Sequence, residues 1–443
     1  MRHDDLLSAD LRSAADGIRT GEIDPVELTD AYLRQIEATE AGLNAYVTVD
    51  AEGAREAARR ARDELSAGRN RGPLHGIPVG VKDIVDTAGL RTTYGSIRYT
   101  AHVPNSDADS VARLREAGAV ILGKHATHEF AWGGRTDNPH FGPTHNPHDR
   151  ARIPGGSSGG SAASVASRSS LLAIGTDTAG SVRIPAALSG CVGYKPARGV
   201  ISTAGVFPLA PTLDHVGVLA RTVADARLAV EVLANEPDAA AAAISPDRLR
   251  IGVIEGPSLD LLDADVTAAV ERAVNALKRG GATLVEVELG GIDERAWAVL
   301  TLIKAEAEAI HREAFLAHPA SYGPDLAELL SSPPVPPDEL DAARATVASA
   351  IDDLRGLLRD VDVVMTATVP IVAPPIGAMT TEIGGTTWPI ESILTRLTSI
   401  ANAAGLPAVS VPAPGTDGLP VGIQLIGNAT GSAAALAAAE LLE

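Results

Sequence analysis

Two kinds of stretch alternate along the chain. One places apolar residues every third or fourth position, the period of a helix with one buried face. The other is a short unbroken run of Val, Ile, Leu and Ala closed by Gly or Pro, the pattern of a strand covered on both sides. "DPVELTDAYLRQIEATEA" opens with Asp24 as N-cap and Pro25 at the first helical position. Residues 51–66 predict a second helix, so the first 70 residues read as helical. "HGIPVGVKDIVDTAG" predicts a strand entering a turn, and "DADSVARLREAGAVILGKH" a helix, a stop at Gly118 and a strand. The same succession recurs in "SAASVASRSSLLAIGTDTAGS", "LRIGVIEG", "ADVTAAVERAVNALKRGGATLVEVEL" and "DVDVVMTATVP". Such alternation predicts an α/β layered fold around a largely buried sheet.

Two segments break the rhythm. "NEPDAAAAAISPD" (235–247) reads as a surface connection. Residues 295–360 are mostly helical, interrupted by "SSPPVPPDE", and read as an insert or cap over the sheet. The 443 residues would accommodate about three domains. Strands on both sides of the helical segment favour one large domain instead.

Composition narrows the class. Hydrophobic residues make up 45% but aromatics only 3%, so the core must be built from Ala, Val, Ile and Leu. The net charge of −19 repels phosphate backbones and anionic lipid, which disfavours nucleic-acid and membrane-surface partners. A lone cysteine, Cys191, cannot form an internal disulfide, an acidic N-terminus shows no apolar h-region, and no run approaches 18 apolar residues. These features together predict a soluble cytoplasmic protein.

Candidate chemistry centres on "RIPGGSSGGSAAS" (152–164). A flexible linker fits poorly, because apolar and small-residue segments flank it closely. A phosphate-binding loop would need a Lys after the glycines, and none follows. Gly156-Ser157-Ser158-Gly159-Gly160 matches the G-x-S-x-G elbow, but "HNPHDRARIP" before it is too polar for the required strand. Further along, "GTDTAGSVRIPAALSG" sets Ser181 after a buried-looking strand and a glycine turn. Upstream, "GIPVGVKD" sets Lys82 in a segment too apolar for an ordinary surface lysine.

With these elements side by side, the sequence resembles the amidase signature family. The resemblance runs through "GIPVGVKD", "LGKHATHEFAWG", "NPHFGPTHNP", "PGGSSGGSAA", "GTDTAGSVRIPAA", "GYKPARGVIS" and "AGLPAVSVPAPGTDGLPVGIQLIG" in family order. It implies hydrolysis of amide C–N bonds by a Ser–Ser–Lys triad through an acyl-enzyme. It also implies a single large α/β/α layered domain over 1–443, with a mixed, mostly buried β-sheet flanked by helices. Within it, 1–70 are N-terminal helices, 71–235 the catalytic core, 295–360 the helical cap and 361–443 the C-terminal part of the core.

Carried over residue by residue, Ser181 is the nucleophile, Ser157 the bridging serine after a cis Gly156–Ser157 peptide, and Lys82 the base. Backbone N–H groups of Thr178, Ala179 and Gly180 would form the oxyanion hole, with Ser181 as a further donor. Asp177 and Arg183 flank that turn and are expected to pair and brace it. A lysine acts as base only when neutral, and burial lowers its pKa toward that condition. No cofactor or metal is implied, and the partner is a small-molecule amide; a homodimer is compatible with the family.

Blander readings compete at each position. Ser157 could simply cap the helix expected at 158–168, and Cys191 in "LSGCVGYKP" reads as a packed thiol. His125, His128, His140, His145 and His148 fall close together, which raises a metal-dependent amidohydrolase, yet HExxH is absent. For the substrate, the 130–136 loop should line the acyl pocket through Trp132 and Gly133, with Gly156 beside the carbonyl and Trp297, Tyr322 or Trp388 as a far wall. The main expectation is a free-standing amidase. The alternative is the glutaminase (A) subunit of a tRNA-dependent amidotransferase, with allophanate- or biuret-type hydrolysis below it. Glutaminase relatives grip glutamine with an Arg and an Asp, where this chain aligns Val347 and Thr395, with Arg344 and Arg396 nearby.

Overall fold

The computed structural model describes residues 3–234, 244–255, 261–428 and 432–443. Residues 235–243 of the expected connection lie outside that set. In chain order the strands are β1 (Tyr46–Val49), β2 (Pro78–Lys82), β3 (Val120–His125), β4 (Asp137–Asn138), β5 (Gly142–Pro143), β6 (Leu172–Asp177), β7 (Val192–Lys195) and β8 (His215–Ala220). They continue with β9 (Arg250–Glu255), β10 (Thr283–Glu288), β11 (Val363–Ala367), β12 (Thr380–Ile383), β13 (Thr386–Pro389), β14 (Ala408–Pro412) and β15 (Gly422–Gly427).

Eleven of these form one sheet in the order β1-β3-β2-β6-β8-β7-β14-β15-β11-β9-β10. It is mixed: β2 runs parallel to both β3 and β6, and β9 parallel to β10 and β11, while β8, β7, β14 and β15 link the two ends antiparallel. Every residue of β2, β3, β6, β8, β11 and β15 is buried. Helices on both faces explain why these strands read as unbroken apolar runs rather than alternating ones. The sheet draws on strands from before and after the cap, so the α/β layered expectation holds.

Local chemistry acts as the sequence predicts. Asp24 caps the helix Pro25–Leu43, accepting from the Val26 N–H at 2.6 Å. The helix Ala51–Ser66 follows where expected. Over the far half of the sheet lie Ile292–Ala317, Pro324–Ser331 and Pro337–Asp360, with the break at 332–336 where prolines crowd the chain. The two long helices bury Val299, Ile303, Ala350 and Leu354 against each other and against Val364 and Ala408 of the sheet. Among the described residues no helix is long and apolar enough to cross a membrane.

Strands β1, β7, β8, β14 and β15 are absent from the periodicity reading. β14 and β15 each carry a fully buried polar residue, Ser410 and Gln424, which disguises the apolar run. Both have structural employment: Ser410 shares a 2.7 Å hydroxyl bond with Thr368, and Gln424 meets Arg183.

Candidate active site

Lys82 is the last residue of β2, at the carboxyl end of the central parallel strand, where open α/β sheets present their chemistry. Register pairs Val81 with Ile174 of β6, which brings Thr176 alongside the lysine. Lys82 Nζ is fully buried and donates to Ser157 Oγ and to Thr176 Oγ1, each at 2.7 Å. Burial lowers its pKa to about 7, against the opposing pull of the Asp177 and Asp214 carboxylates. Enclosure thus removes the hydration that keeps an ordinary lysine charged.

The glycine-serine run is folded back on itself, with a cis peptide between Gly156 and Ser157. Thr136 Oγ1 donates to the carbonyls of Gly155 and Ser157 and accepts from the Gly159 N–H. A methyl at Gly156 would lie 2.8 Å from the Gly134 carbonyl carbon, and one at Gly160 would lie 2.4 Å from the Ala45 oxygen. These glycines therefore serve close backbone approach. No strand leads into Gly156, which disposes of the elbow reading. The helix Gly159–Ala166 takes Ser158 rather than Ser157 at its N-cap position, without a side-chain capping bond. Ser158 Oγ instead bonds both backbone groups of Thr176.

Ser181 follows β6 on the glycine turn and is 9% exposed. It joins the Lys82–Ser157 pair through the backbone: the Ser158 N–H donates to its carbonyl at 3.2 Å. Its hydroxyl makes no hydrogen bond to another described residue.

The turn itself is organised by Asp177. This carboxylate accepts from the N–H groups of Gly180 (2.8 Å), Val182 (3.1 Å) and Arg183 (3.4 Å), and pairs two-pronged with the Arg183 guanidinium at 3.0 and 2.8 Å. Both side chains have no exposed surface. Burial alone would raise the Asp177 carboxyl, but Arg183 holds it below the ordinary carboxylate range. Asn402 Nδ2 completes the shell at 2.8 Å. The expected brace is present, and it engages the Gly180 amide. The amides of Thr178, Ala179 and Ser181 donate to no other described residue.

Thr178 Oγ1 donates to Asp214 at 2.6 Å. Burial raises Asp214 to about 6, and the Thr178 bond pulls the other way. Thr136, Thr176, Asp214 and Asn402 escape the sequence reading. Nearness to a quoted segment is the one signal available: Thr176 lies within GTDTAGS, Asn402 two residues before AGLP and Thr136 at the end of the 130–136 loop, while Asp214 stands apart.

Trp132 is partly buried and stacks on His311 of the cap, with ring centroids 6.2 Å apart. Gly133 lies against the His128 ring, 2.4 Å from where its Cβ would be. Tyr322 is buried and packs on Phe130 and His311. Trp297 is 48% exposed, and Trp388 sits on the β12–β13 hairpin against the cluster of Ile153 and Ile184. Val347 is buried in the cap core, and Arg344 is exposed beside Asp341 at 3.1 Å. Thr395 Oγ1 donates to the Glu391 carbonyl at 2.9 Å, and Arg396 is held by Asp293.

The five clustered histidines do not converge. His125 reaches Ser161, His140 reaches Glu129, His145 the Arg150 carbonyl and His148 the Ser189 carbonyl. His128 alone belongs to a group spaced for a metal, with Asp137 and Asp325, but the Arg135 guanidinium pairs with both carboxylates there. Cys191 is a packed thiol, pushed up to about 12 by burial.

A protein-family model described as Amidase matches residues 27–436. Among curated relatives, the glutamyl-tRNA(Gln) amidotransferase A subunit of Roseiflexus castenholzii is 37% identical over 96% of this chain and 93% of its own length. Among solved structures, a chain from a vestigial protein complex, linked to the origins of an s-triazine catabolic enzyme, superposes with a TM-score of 0.92. It is 32% identical and covers 98% of both chains. The glutamyl-tRNA(Gln) amidotransferase A subunit of Thermotoga maritima superposes with a TM-score of 0.76 at 29% identity, covering 100% of this chain and 94% of that one.

Replacing Arg183 leaves a buried carboxylate without its counter-charge. Arg183→Met should lower unfolding stability by about 3–5 kcal/mol, read from the denaturant midpoint. The double variant with Asp177→Asn should recover part of that loss.

Proposed function

From the premise that the chain belongs to the amidase family, whose members cleave amide C–N bonds, we propose that Ser181 is its nucleophile, Ser157 the proton bridge and Lys82 the base. The observation that carries this reading is the 2.7 Å bond between the Lys82 amine and the Ser157 hydroxyl in a fully enclosed site. As Ser181 Oγ attacks the amide carbon, its proton passes to Ser157 Oγ, and the Ser157 proton passes to Lys82 Nζ. Amides of Thr178 and Ala179, with that of Ser181 beside them, meet the developing oxyanion, while the Gly180 amide stays on Asp177; each such fixed donor is worth about 3–4 kcal/mol. The leaving nitrogen takes a proton back from Ser157, which Lys82 replenishes. Water then attacks the acyl-enzyme by the same relay, and a carboxylate departs.

Two readings of the substrate have separate support. The amidotransferase relatives favour the glutaminase, the second of the two expectations from sequence; in that reading a partner protein, rather than this acidic chain, would face tRNA. Side chains at the grip positions favour a small-molecule amidase, since Val347 is core and Arg344 and Arg396 are paired with Asp341 and Asp293. The s-triazine-linked chain superposes more closely than the Thermotoga maritima A subunit, but it comes from a protein complex, so fold likeness does not separate the two readings. Geometry leads us to the small-molecule amidase as the conclusion.

Ammonia or amine release decides between them, assayed on arylamides, short aliphatic amides, indoleacetamide, allophanate and glutamine, with and without the other components of an amidotransferase. Glutamine turnover confined to the reconstituted complex would overturn the conclusion. Turnover surviving exhaustive chelation is expected, and its loss would revive a metal reading.

Ser181→Ala should abolish turnover and Lys82→Ala nearly so, with a small residue left in Ser157→Ala, all checked by steady-state rates on correctly folded protein. Because the base works uncharged, kcat/KM should rise with pH and level off above about 7. Below that it should fall about tenfold per pH unit. A flat profile down to pH 5 would exclude Lys82 as the base.

A further inference from the structure

Asp214 precedes β8 and lies outside every motif by which the site was found. The residue is half-buried, and its carboxylate accepts from three partners. Oδ1 accepts from Thr178 Oγ1 at 2.6 Å. Oδ2 accepts from the Leu209 N–H at 3.0 Å, and the Ala210 N–H at 3.2 Å is shared between both oxygens. The loop 209–214 is thus wound around one carboxylate, with Thr178 of the oxyanion turn as the outside partner.

The same loop is tied to the cap. Glu306, on the helix Ile292–Ala317, accepts from the Thr212 N–H at 3.1 Å and from its hydroxyl. Thr178 and Asp214 also line a small cavity with Ala131, Thr176, Phe207 and Leu209. Thr176 is the second acceptor of Lys82, so this cavity borders both the base and the oxyanion turn. Asp177 fixes the turn from inside through Gly180, Val182 and Arg183. None of those bonds restrains Thr178, whose amide is one of the candidate oxyanion donors.

We propose that Asp214 is the positioning residue of the oxyanion turn. It anchors Thr178 so that the Thr178 and Ala179 amides face the reacting carbonyl, and the Glu306–Thr212 contact carries the position of the cap into that geometry. The inference rests on the reading of Ser181 as nucleophile. An amide donor misplaced by about 1 Å can cost on the order of 100-fold in rate with little change in ground-state affinity.

Phenylmethylsulfonyl fluoride serves as a probe independent of the natural substrate. A bond forms between Ser181 Oγ and sulfur, fluoride leaves, and the hydroxyl proton passes through Ser157 to Lys82. Intact-mass and peptide mapping report the site, and the concentration dependence reports affinity and rate separately. Thr178→Val and Asp214→Asn should each slow the limiting rate about 10- to 100-fold, with half-saturation changed less than about threefold. Thr178→Ser, which keeps the hydroxyl, should recover most of the loss. The double variant Thr178→Val/Asp214→Asn should be no slower than the worse single variant, since both remove one contact. Wild-type rates in Thr178→Val with Ser181 still modified, or fully additive losses, would overturn the positioning role alone. Sulfonylation at a residue other than Ser181 would overturn the nucleophile reading and this inference with it. A melting temperature lowered without any change in limiting rate would mark Asp214 as structural only.

Discussion

Two charges without any exposed surface face each other where β6 ends, and the site takes its shape from them. A buried ion pair contributes little net stability, because desolvation consumes most of its attraction. Its value here is directional. Asp177 uses both oxygens on Arg183 and still accepts from three amides of the turn. Arg183 spreads its remaining donors over the Thr398 carbonyl, Gln424 and Asn402. A turn restrained at so many points has little freedom to relax when charge develops beside it, which is the condition for electrostatic preorganisation.

The neighbouring lysines show how environment assigns different work to one side chain. Lys82, Lys124 and Lys195 are all fully buried, and burial pulls all three below the ordinary amine value. Lys124 spends its donors on the Val85 carbonyl, Thr87 and Thr92, and Lys195 on the Pro196 and Leu406 carbonyls. Neither touches either of the two serines proposed for the relay. Lys82 bonds only to hydroxyls, which can return a proton as well as accept one.

How much of this was legible depends on how far apart the partners stand in the chain. Lys82, Ser157 and Ser181 announce themselves because each lies in a run of small or apolar residues where a functional side chain is out of place. Asp177 and Arg183 are six residues apart and could be paired by inspection. Asn402 lies 225 residues from Asp177, and Glu306 94 residues from Thr212. Such contacts are made by topology, and no local pattern encodes them. The layered fold was visible because buried strands repeat; β14 and β15 were not, because a core serine and a core glutamine interrupt them. The Gly180 amide was expected among the oxyanion donors, and only coordinates reveal that Asp177 already engages it.

The strand order bears on how this molecule is made. β14 and β15 occupy the middle of the sheet, between β7 and β11, yet they follow every other strand in the sequence. Asn402 and Gln424, which complete the shell around Arg183, arrive with them. A nascent chain emerging from the ribosome therefore holds two half-sheets with open inner edges until these late strands are released. Assembly of the competent centre is in this way deferred to a late stage of translation, and a chain arrested before it carries exposed strand edges that invite aggregation.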